Sequence, residues 1–388
     1  MALKILHVVS SVFENGGGTS EVVPRLCRAL KESGADVTLA AHKAERISQT
    51  AVDAIRSGVR YEGESERDRF LPQALAYSSQ FRRLMPKLVQ EADVVHIHGL
   101  WQLAGWMAAR EARKQHKPYL VMPHGFLEPE RLKISSWKKH VVGALFDNPM
   151  LRRANAIVAT SESEADGIRR YGLTRPIHIM PIGLDIEKYT LSKCAGRTLL
   201  YFSRITPIKG LDMLAEVWGR IDSKGWKLLI VGPDDRGYTE EMKALFALKC
   251  PADSYEFRPP VFGDDKYKLL ASVDALVLPT RSENWSIAVA EAMASGLPVV
   301  CTKGAPWQCL ETAHAGWWVD VSGEDIERGI LELMALNDEQ RLQKGRNGRR
   351  WVEENLVWNR IAQDMIGIYR KILPRGGDDN SAKFISNR

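Results

Sequence analysis

The sequence has few of the features that mark secreted, metal-binding or membrane-spanning proteins. Its 388 residues include only five cysteines. None of them forms a CxxC spacing, so neither a zinc site nor a disulfide framework is predicted. The apolar run in MALKILHVVSS is too short for a secretory leader, and no stretch approaches the roughly 18 apolar residues of a membrane span. These absences predict a cytoplasmic protein in a reducing compartment.

What the sequence does have is an ordinary globular composition with an excess of positive charge. Hydrophobic residues make up 45% and charged residues 26%, with a formal net charge of +6. A positive surface favours an anionic partner, which could be nucleic acid, anionic lipid or a phosphate-bearing substrate. The length predicts two domains of about 150 residues each.

Short apolar runs alternate with helical patterns along most of the chain, which predicts an α/β fold with doubly wound parallel sheets. The alternation pauses near residue 185 and then starts again. We therefore predict a first Rossmann-like domain over residues 1–185 and a second over 186–355. A helix over 356–373 is expected to return to the first domain, and 374–388 is expected to form a flexible tail.

Two cations follow the first apolar run of the second series. In SRITPIKG, Arg204 comes at a strand end and Lys209 at a helix start. Ligands of open α/β sheets bind beyond the carboxyl ends of the strands, and arginine can bind two phosphate oxygens at once. The pair suits a diphosphate, although a solvated pair at a helix start is an equally good interpretation of this motif by itself.

The stretch RSENWSIAVAEAMASGLPVV places two glutamates around a helix start. Ser286 is predicted to cap a helix beginning at Ile287, which would leave backbone N–H groups for a phosphate. Glu283 precedes that helix and Glu291 lies inside it. We expect them to hold hydroxyl groups on either side of a diphosphate, one on a sugar and the other on a ribose. The alternative is a surface helix with two incidental glutamates.

The first domain offers a glycine loop and three histidines. Gly16, Gly17 and Gly18 would let a phosphate or an acceptor approach the backbone, although a triple glycine is usually a turn. The loop matches neither GxGxxG nor a P-loop, which disfavours an oxidoreductase or an ATP-binding protein. Only one of His96 and His98 is expected to face a ligand, with His98 the acceptor-side candidate. His124, in PHG after a strand, is by itself an ordinary packed or solvated histidine.

Several of these motifs together resemble the retaining glycosyltransferases of family 4. They are VVHIHG, PHG, ATSESEADGIRRYG, SRITPIKG and RSENWSIAVAEAMASGLPVV. The resemblance covers nearly the whole chain, and SRIT stands where Gly-Arg-Leu is more usual. It implies the GT-B architecture, in which two Rossmann-like domains face each other across an interdomain cleft.

The resemblance also implies an activity and roles for particular residues. A sugar would move from a nucleotide-diphosphate-sugar to a hydroxyl acceptor, with retention, without a cofactor and without a metal. The acceptor would be a saccharide, in particular a lipid-linked one of bacterial surface-polysaccharide assembly. The implied roles are the donor sugar for Glu283, the ribose for Glu291, the diphosphate for Arg204 and Lys209, backbone donors for Ser286 and Ile287, and the reacting centre for His124.

Some questions stay open at this level. Phe262 follows a strand and is a candidate to frame the nucleotide base, but the residues do not identify the base, the sugar or the acceptor. A nucleotide-sugar 2-epimerase and a catalytically silent nucleotide-binding subunit are alternative functions. The segment Glu130–Ala154 combines cations with an apolar stripe. It is either a helix packed on its own domain or a peripheral contact with the inner face of an anionic membrane.

Overall fold

The protein is described by a computed structural model. It describes residues 2–14, 18–69, 72, 75–128, 142–194 and 196–374. The chain forms two compact units. Unit 1 contains the chain up to Met180 together with the residues from Asn359 onward, and unit 2 contains Pro181–Trp358.

Unit 1 is built on a parallel sheet whose seven described strands run in the order β3-β2-β1-β4-β5-β6-β7. The strands are β1 Lys4–Val8, β2 Asp36–His42, β3 Arg60–Ser65, β4 Val94–His98, β5 Tyr119–Met122, β6 Ala156–Ala159 and β7 Ile177–Ile179. Strands β4, β5 and β6 are buried at every position. Such continuous burial is typical of a parallel sheet that is covered on both faces.

Helices follow most of these strands. They are α1 Gly18–Glu32, α2 Gln49–Arg56, α3 Ser79–Glu91, α4 Leu103–Lys114, α5 Asn148–Arg153 and α6 Glu162–Arg170. A short π-helix, Gly143–Asp147, leads into α5. The last helix, α14 Trp358–Ile372, runs from the end of unit 2 into unit 1. Its Tyr369 is fully buried there and hydrogen-bonds to His96 of β4.

Unit 2 contains a parallel sheet in the order β10-β9-β8-β11-β12-β13. The strands are β8 Thr198–Phe202, β9 Lys227–Val231, β10 Tyr255–Arg258, β11 Ala275–Leu278, β12 Val299–Thr302 and β13 Gly316–Val319. The helices are α7 Leu211–Trp218, α8 Tyr238–Lys249, α9 Asp264–Ser272, α10 Ile287–Ala294, α11 Cys309–Thr312, α12 Gly323–Ala335 and α13 Asp338–Asn355. This unit also has short 3-10 helices at Ile186–Lys188 and Pro207–Lys209.

Each sheet reverses its strand order at one point, between β1 and β4 in unit 1 and between β8 and β11 in unit 2. The helices connected to the two central strands leave in opposite directions there, so the loops beyond these strands can form a ligand site. In unit 2 the central strands are paired through Leu199 with Ala275 and Leu200 with Leu276. The prediction of doubly wound parallel sheets is therefore confirmed.

Both units have well-formed apolar cores. The core of unit 2 includes Trp218 and Phe246, which are almost completely buried between the sheet and its helices. The core of unit 1 includes Phe81 and Met85 of α3. In the part of the chain that the structure describes, no helix is long and apolar enough to cross a membrane.

Candidate active site

The loops after β8 and β11 bring a predicted cation and a predicted carboxylate into contact. The Lys209 ammonium forms an ion pair with the Glu283 carboxylate, and both side chains are largely buried. Lys209 ends the 3-10 turn after β8, while the backbone N–H of Glu283 donates to the carbonyl of Gly304, 2.7 Å away. Although 74 positions separate them in the sequence, the two residues meet because β8 and β11 are neighbouring strands.

A close backbone approach joins these two loops. Gly210 has φ +70°, and a Cβ built on it would lie 2.0 Å from the carbonyl oxygen of Pro279. No side chain fits at that distance, so glycine is required at this position. The backbone N–H of Arg281 donates to the carbonyl of Ile208 at 2.8 Å. These contacts place the start of α7 against the chain that leaves β11.

An ion pair outside the predicted set ties the same loops together. Arg281 binds both carboxylate oxygens of Asp212, at 2.6 and 2.7 Å, and it also donates to the carbonyl of Pro207 at 2.6 Å. Partial burial is the largest influence and acts to raise the pKa of Asp212, but the hydrogen bonds and charge of Arg281, together with backbone hydrogen bonds at the start of α7, hold this pKa below its ordinary value. A bidentate arginine fixes geometry as well as charge, so this pair defines how the two loops meet.

Glu291 lies in α10 and is almost fully buried. Its Oε1 accepts a hydrogen bond from the Tyr189 hydroxyl at 3.0 Å and forms an ion pair with the Lys266 ammonium at 2.5 Å. A buried carboxylate needs such partners because an unpaired buried charge is very costly. Glu291 and Glu283 thus have separate cationic partners, Lys266 and Lys209.

The predicted cap at the start of α10 is wrong in its detail. Ser286 does precede Ile287, the first residue of the helix, but it is in the left-handed conformation with φ +67° and its side chain makes no capping hydrogen bond. A capping serine adopts extended backbone angles, which direct its hydroxyl at the N–H groups of the first turn. The left-handed conformation does not, so the helix begins without a side-chain cap.

The remaining predicted residues of unit 2 lie on the surface of loops. Arg204 is exposed two residues after β8, and the N–H of the next residue, Ile205, bonds to Pro233. Phe262 is 62% exposed in the loop between β10 and α9. Both positions are open to a ligand at the carboxyl edge of the sheet.

In unit 1, His124 follows β5 and has the left-handed conformation, with φ +56°. This conformation is uncommon for a residue other than glycine and is characteristic of functional sites. The buried carboxylate of Glu164, in α6, holds the loop by accepting the backbone N–H of Gly125 at 2.5 Å. Glu164 also accepts the N–H and the hydroxyl of Thr160, each at 2.7 Å. It was not predicted as a site residue, although the quoted motif ATSESEADGIRRYG contains it.

The expectation that only one of His96 and His98 faces a ligand is wrong in its geometry. Residues two apart on a strand point to the same face. Their rings lie 4.1 Å apart between centroids, and both are buried. The Nδ1 atom of His98 lies 3.0 Å from the Nε2 atom of His124. His98 therefore contacts the predicted catalytic histidine directly, while His96 lies deeper in the unit.

The acceptor-side features of unit 1 are described only in part. Gly16 and Gly17 lie outside the described residues, and Gly18 is the first residue of α1. A cavity of about 1040 Å³ opens at the carboxyl ends of β1, β2 and β3. Its walls carry both signs of charge, from Glu14, Lys43, Glu45, Arg46, Glu66, Arg67 and Arg69.

Only the second half of the basic segment Glu130–Ala154 can be described, because residues up to 141 lie outside the described ranges. In the described half, Phe146 packs edge-on against Trp106 of α4, with ring centroids 5.2 Å apart. Leu145 is 62% exposed. The apolar residues of this half thus divide between the core of the unit and its surface.

Two Rossmann-like units, with paired basic and acidic side chains at a reversal of strand order, define an α/β enzyme of the GT-B class. Solved structures share this fold. Sucrose-phosphate synthase from Thermosynechococcus elongatus superimposes with a TM-score of 0.72 at 17% identity, over 96% of this chain and 99% of that one. Anabaena HepE in complex with UDP and glucose gives a TM-score of 0.72 at 17% identity, over 95% of this chain and 100% of that one.

Family comparisons identify the chain more closely. The family model described as Glycosyltransferase Family 4 matches residues 16–188, and the one described as Glycosyl transferases group 1 matches residues 196–335. The chain therefore belongs to the family of glycosyltransferases built from these two domains, which confirms the resemblance noted in the sequence.

Two relatives align over most of the chain. GDP-mannose:cellobiosyl-diphosphopolyprenol alpha-mannosyltransferase of Xanthomonas campestris is 26% identical, over 86% of this chain and 87% of that protein. D-inositol 3-phosphate glycosyltransferase of Jonesia denitrificans is 23% identical, over 92% of each. The chain is thus similar along nearly its whole length to enzymes that transfer sugars.

Proposed function

We propose that this protein is a retaining glycosyltransferase that moves a sugar from a nucleotide-diphosphate-sugar to a hydroxyl acceptor. The observation that carries the proposal is the ion pair of Lys209 and Glu283 at the point where the second sheet reverses its strand order. A cation for a phosphate and a carboxylate for sugar hydroxyls are needed side by side where the diphosphate joins the sugar.

The donor would exchange partners with this ion pair. A diphosphate placed at the loop after β8 offers Lys209 a stronger partner than Glu283, with exposed Arg204 two residues beyond the strand as a second cation. Glu283 is then released to accept hydrogen bonds from the sugar. The ribose is assigned to Glu291 and the base to the loop that contains Phe262.

We assign the chemistry to a front-face reaction. The bond between the anomeric carbon and the diphosphate oxygen breaks, and the acceptor oxygen bonds to the same face of that carbon. The acceptor proton passes to the leaving diphosphate, whose growing charge Arg204, Lys209 and the N-terminus of α10 stabilise. In unit 1, His124 is assigned to the neighbourhood of the transferred sugar.

The proposed reaction requires neither metal nor cofactor. The diphosphate has protein cations in Arg204 and Lys209. The acidic pair Asp234 and Asp235 follows β9. Asp234 already has a structural role there, because it accepts the backbone N–H groups of Gly237 at 2.6 Å and Thr239 at 2.8 Å. Transfer should continue in excess chelator. Complete loss of transfer that added magnesium or manganese restores would contradict metal independence.

For the acceptor, we propose a saccharide linked to a lipid by phosphate, as in bacterial surface-polysaccharide assembly. The Xanthomonas campestris relative is named for a diphosphopolyprenol acceptor, which supports this class. The cavity at the carboxyl ends of β1 to β3 supplies Lys43, Arg46, Arg67 and Arg69 as cations for such a phosphate. The proposed location is the cytoplasm, with peripheral contact at the inner face of the membrane.

Product stereochemistry tests the central part of the proposal. The protein is incubated with UDP-, GDP- and ADP-sugars and an acceptor saccharide. The anomeric configuration of the new glycosidic linkage is then read by proton NMR. The anomeric configuration of the product should be that of the donor. An inverted linkage would contradict the retaining reaction, and isomerisation of the donor without any acceptor would favour the 2-epimerase alternative.

Co-sedimentation with vesicles tests the membrane contact. Vesicles that contain anionic lipid should bring the protein into the pellet at low salt, and binding should fall as salt screens the charges. Replacing Lys133, Lys138 and Lys139 by glutamate should weaken it. If the wild-type protein stays in the supernatant at low salt, a soluble acceptor becomes the better assignment.

A further inference from the structure

Four histidines and one tyrosine of unit 1 form a continuous chain of hydrogen bonds that ends at His124. The Nε2 atom of His124 lies 3.0 Å from Nδ1 of His98, and Nε2 of His98 lies 2.9 Å from Nδ1 of His7. The hydroxyl of Tyr369 lies 3.4 Å from Nε2 of His7 and 2.7 Å from Nδ1 of His96. The chain thus connects the loop after β5 to β4, β1 and the C-terminal helix α14.

The rings of this chain are neutral at neutral pH. Burial lowers the pKa of His7 to about 3 and that of His124 to about 4, and it lowers the pKa values of His96 and His98 well below the usual range. A neutral imidazole has one N–H donor and one acceptor nitrogen. A ring that accepts at one nitrogen must therefore donate at the other, so the chain from Tyr369 to His124 has a single direction.

The far end of the chain decides that direction. The Nε2 atom of His96 is buried and has no hydrogen-bond partner among the described residues. If the chain donated from His124 toward His96, this atom would carry a buried N–H group without an acceptor. If the chain donates toward His124, Nε2 of His96 carries only a lone pair that accepts no hydrogen bond. Orphaned buried N–H groups are the rarer of the two defects, so the second direction is favoured.

We propose that His98 is a positioning residue that holds His124 in one tautomer, with its proton on Nδ1, and that the buried chain behind His98 sets the direction in which it donates. In this arrangement the His98 N–H occupies the Nε2 lone pair of His124. The Nδ1–H group of His124 is then the donor left for an oxygen of the substrate. The catalytic consequence rests on the proposed function, while the tautomer is a property of the protein alone.

The same rings could be considered as a metal site, since one nitrogen from each of His7, His96 and His98 lies within 4.8 Å of the others. Two of those rings are already hydrogen-bonded to each other. In the described residues, these rings hydrogen-bond to other histidines and to Tyr369, not to a carboxylate. A divalent cation would therefore be buried among neutral ligands with its charge uncompensated, which is very costly.

Long-range proton–nitrogen NMR of protein labelled with nitrogen-15 at histidine reads the tautomer directly. We expect His124, assigned through a His124→Asn variant, to carry its proton on Nδ1. His98→Leu removes the N–H group that occupies Nε2 of His124, so the Nε2–H tautomer of His124 should become populated. The control is Tyr119→Phe, because the buried Tyr119 hydroxyl donates to the Met150 carbonyl outside the chain. That variant should leave the tautomer unchanged.

Steady-state kinetics gives a second readout. His98→Leu should lower kcat by about tenfold or more and leave KM for the donor close to wild type, because the defect lies in a proton position. His98→Asn, which keeps a donor near the Nδ1 position, should retain more activity than His98→Leu.

Three results would overturn the proposal. They are a wild-type His124 protonated on Nε2, an unchanged His124 tautomer in His98→Leu, and stoichiometric binding of Zn²⁺ that shifts the nitrogen signals of the three inner rings. These results are independent of sugar transfer. If the tautomers are as expected and no donor is used, the proposed function fails and the positioning chain stands. If a donor is used but the tautomers are not as expected, the proposed function stands and the positioning chain is rejected.

Discussion

At the scale of single residues, the ion pair of Lys209 and Glu283 is the most informative contact in unit 2. The side chains are 14% and 21% exposed, so the pair is partly shielded from water. Each residue neutralises the other in the ligand-free protein. In the proposed function, donor binding exchanges this contact for phosphate and sugar contacts, so the two residues should respond differently when they are replaced.

Replacing Glu283 should separate sugar transfer from nucleotide binding. In Glu283→Gln, Lys209 loses its competing partner, so a nucleoside diphosphate should bind as tightly as to wild type or more tightly. Turnover should fall by about 100-fold or more, because the sugar loses the group that orients it. Calorimetry with the nucleotide and a transfer assay measure the two effects. Equal losses of binding and turnover would contradict the assignment of Glu283 to the sugar.

A second ion pair of unit 2 provides the control. Glu256 pairs with Lys227 at 2.7 Å, and these residues lie near the amino ends of β10 and β9, away from the carboxyl edge of the sheet. Glu256→Gln removes the same charge from the same unit. It should change neither nucleotide affinity nor turnover.

The residue types of the candidate site were predictable from the sequence, but their pairing was not. Arg204, Lys209, Glu283 and Glu291 follow apolar runs, where ligands of parallel sheets bind. The contact between Lys209 and Glu283 depends on β8 and β11 being neighbours, and no local pattern states the order of strands. The contact between Tyr369 and His7 was even less predictable, because 362 positions of sequence separate the two residues.

At the scale of elements, the loops after β8 and β11 form one rigid platform. Gly210 allows the loop after β8 to approach the chain that leaves β11, with a hypothetical Cβ atom 2.0 Å from the carbonyl oxygen of Pro279. Gly304, in the loop after β12, approaches the same chain, with a hypothetical Cβ atom 2.1 Å from the carbonyl oxygen of Thr280. The Asp212–Arg281 pair adds two parallel hydrogen bonds across the same joint. Because the platform holds Lys209 and Glu283, its geometry should matter more for activity than for stability.

Asp212→Asn tests this platform. Both side chains of the pair are more than a third exposed, so the loss of unfolding free energy should be only about 1 kcal/mol or less. Turnover should fall at least tenfold, because small displacements of binding groups are costly in catalysis. Chemical denaturation and a transfer assay measure both quantities. Turnover equal to wild type would show that the pair does not position the site.

The matched change is Glu327→Gln. Glu327 pairs with Arg220 at 2.6 Å, with side chains 30% and 48% exposed, between α7 and α12 of the same unit. It should cost a similar small amount of stability and leave turnover intact.

Elements were predicted better than the details at their ends. The apolar runs of β5, β6 and β11 identify buried parallel strands because nearly every position is apolar. No sequence pattern predicts the left-handed conformation of Ser286, because it depends on how the chain turns between β11 and α10. The shared face of His96 and His98 could have been predicted, because residues two apart on a strand always point the same way.

At the scale of the whole molecule, the buried histidines should make stability depend on pH. His7, His96, His98 and His124 have pKa values below the ordinary 6.5, so between about pH 6.5 and pH 4 the unfolded chain binds protons that the native protein does not. The free energy of unfolding should therefore fall as pH falls, by up to about 1.4 kcal/mol per pH unit for each ring. Asp147 acts oppositely, because burial raises its pKa to about 7.

Denaturation curves between pH 7 and pH 4.5 measure this dependence. The slope of unfolding free energy against pH should be smaller in His7→Asn than in wild type, by up to about 1.4 kcal/mol per pH unit, because one proton fewer is taken up on unfolding. His116→Asn is the control, since the ring of His116 is exposed and lies outside the buried histidine chain. A wild-type stability that does not change over this range would contradict the neutral histidine chain.

The central claim, that the loops after β8 and β11 bind the diphosphate of a nucleotide-sugar, is tested most directly by calorimetric titration with UDP, GDP and ADP. At least one should bind to the wild-type protein. Arg204→Ala and Lys209→Ala should each weaken binding by about 1.5–3 kcal/mol, the worth of a charged hydrogen bond, while Lys227→Ala binds like wild type. If none of the three binds to wild type, or if affinity is unchanged in both site variants, the claim is contradicted.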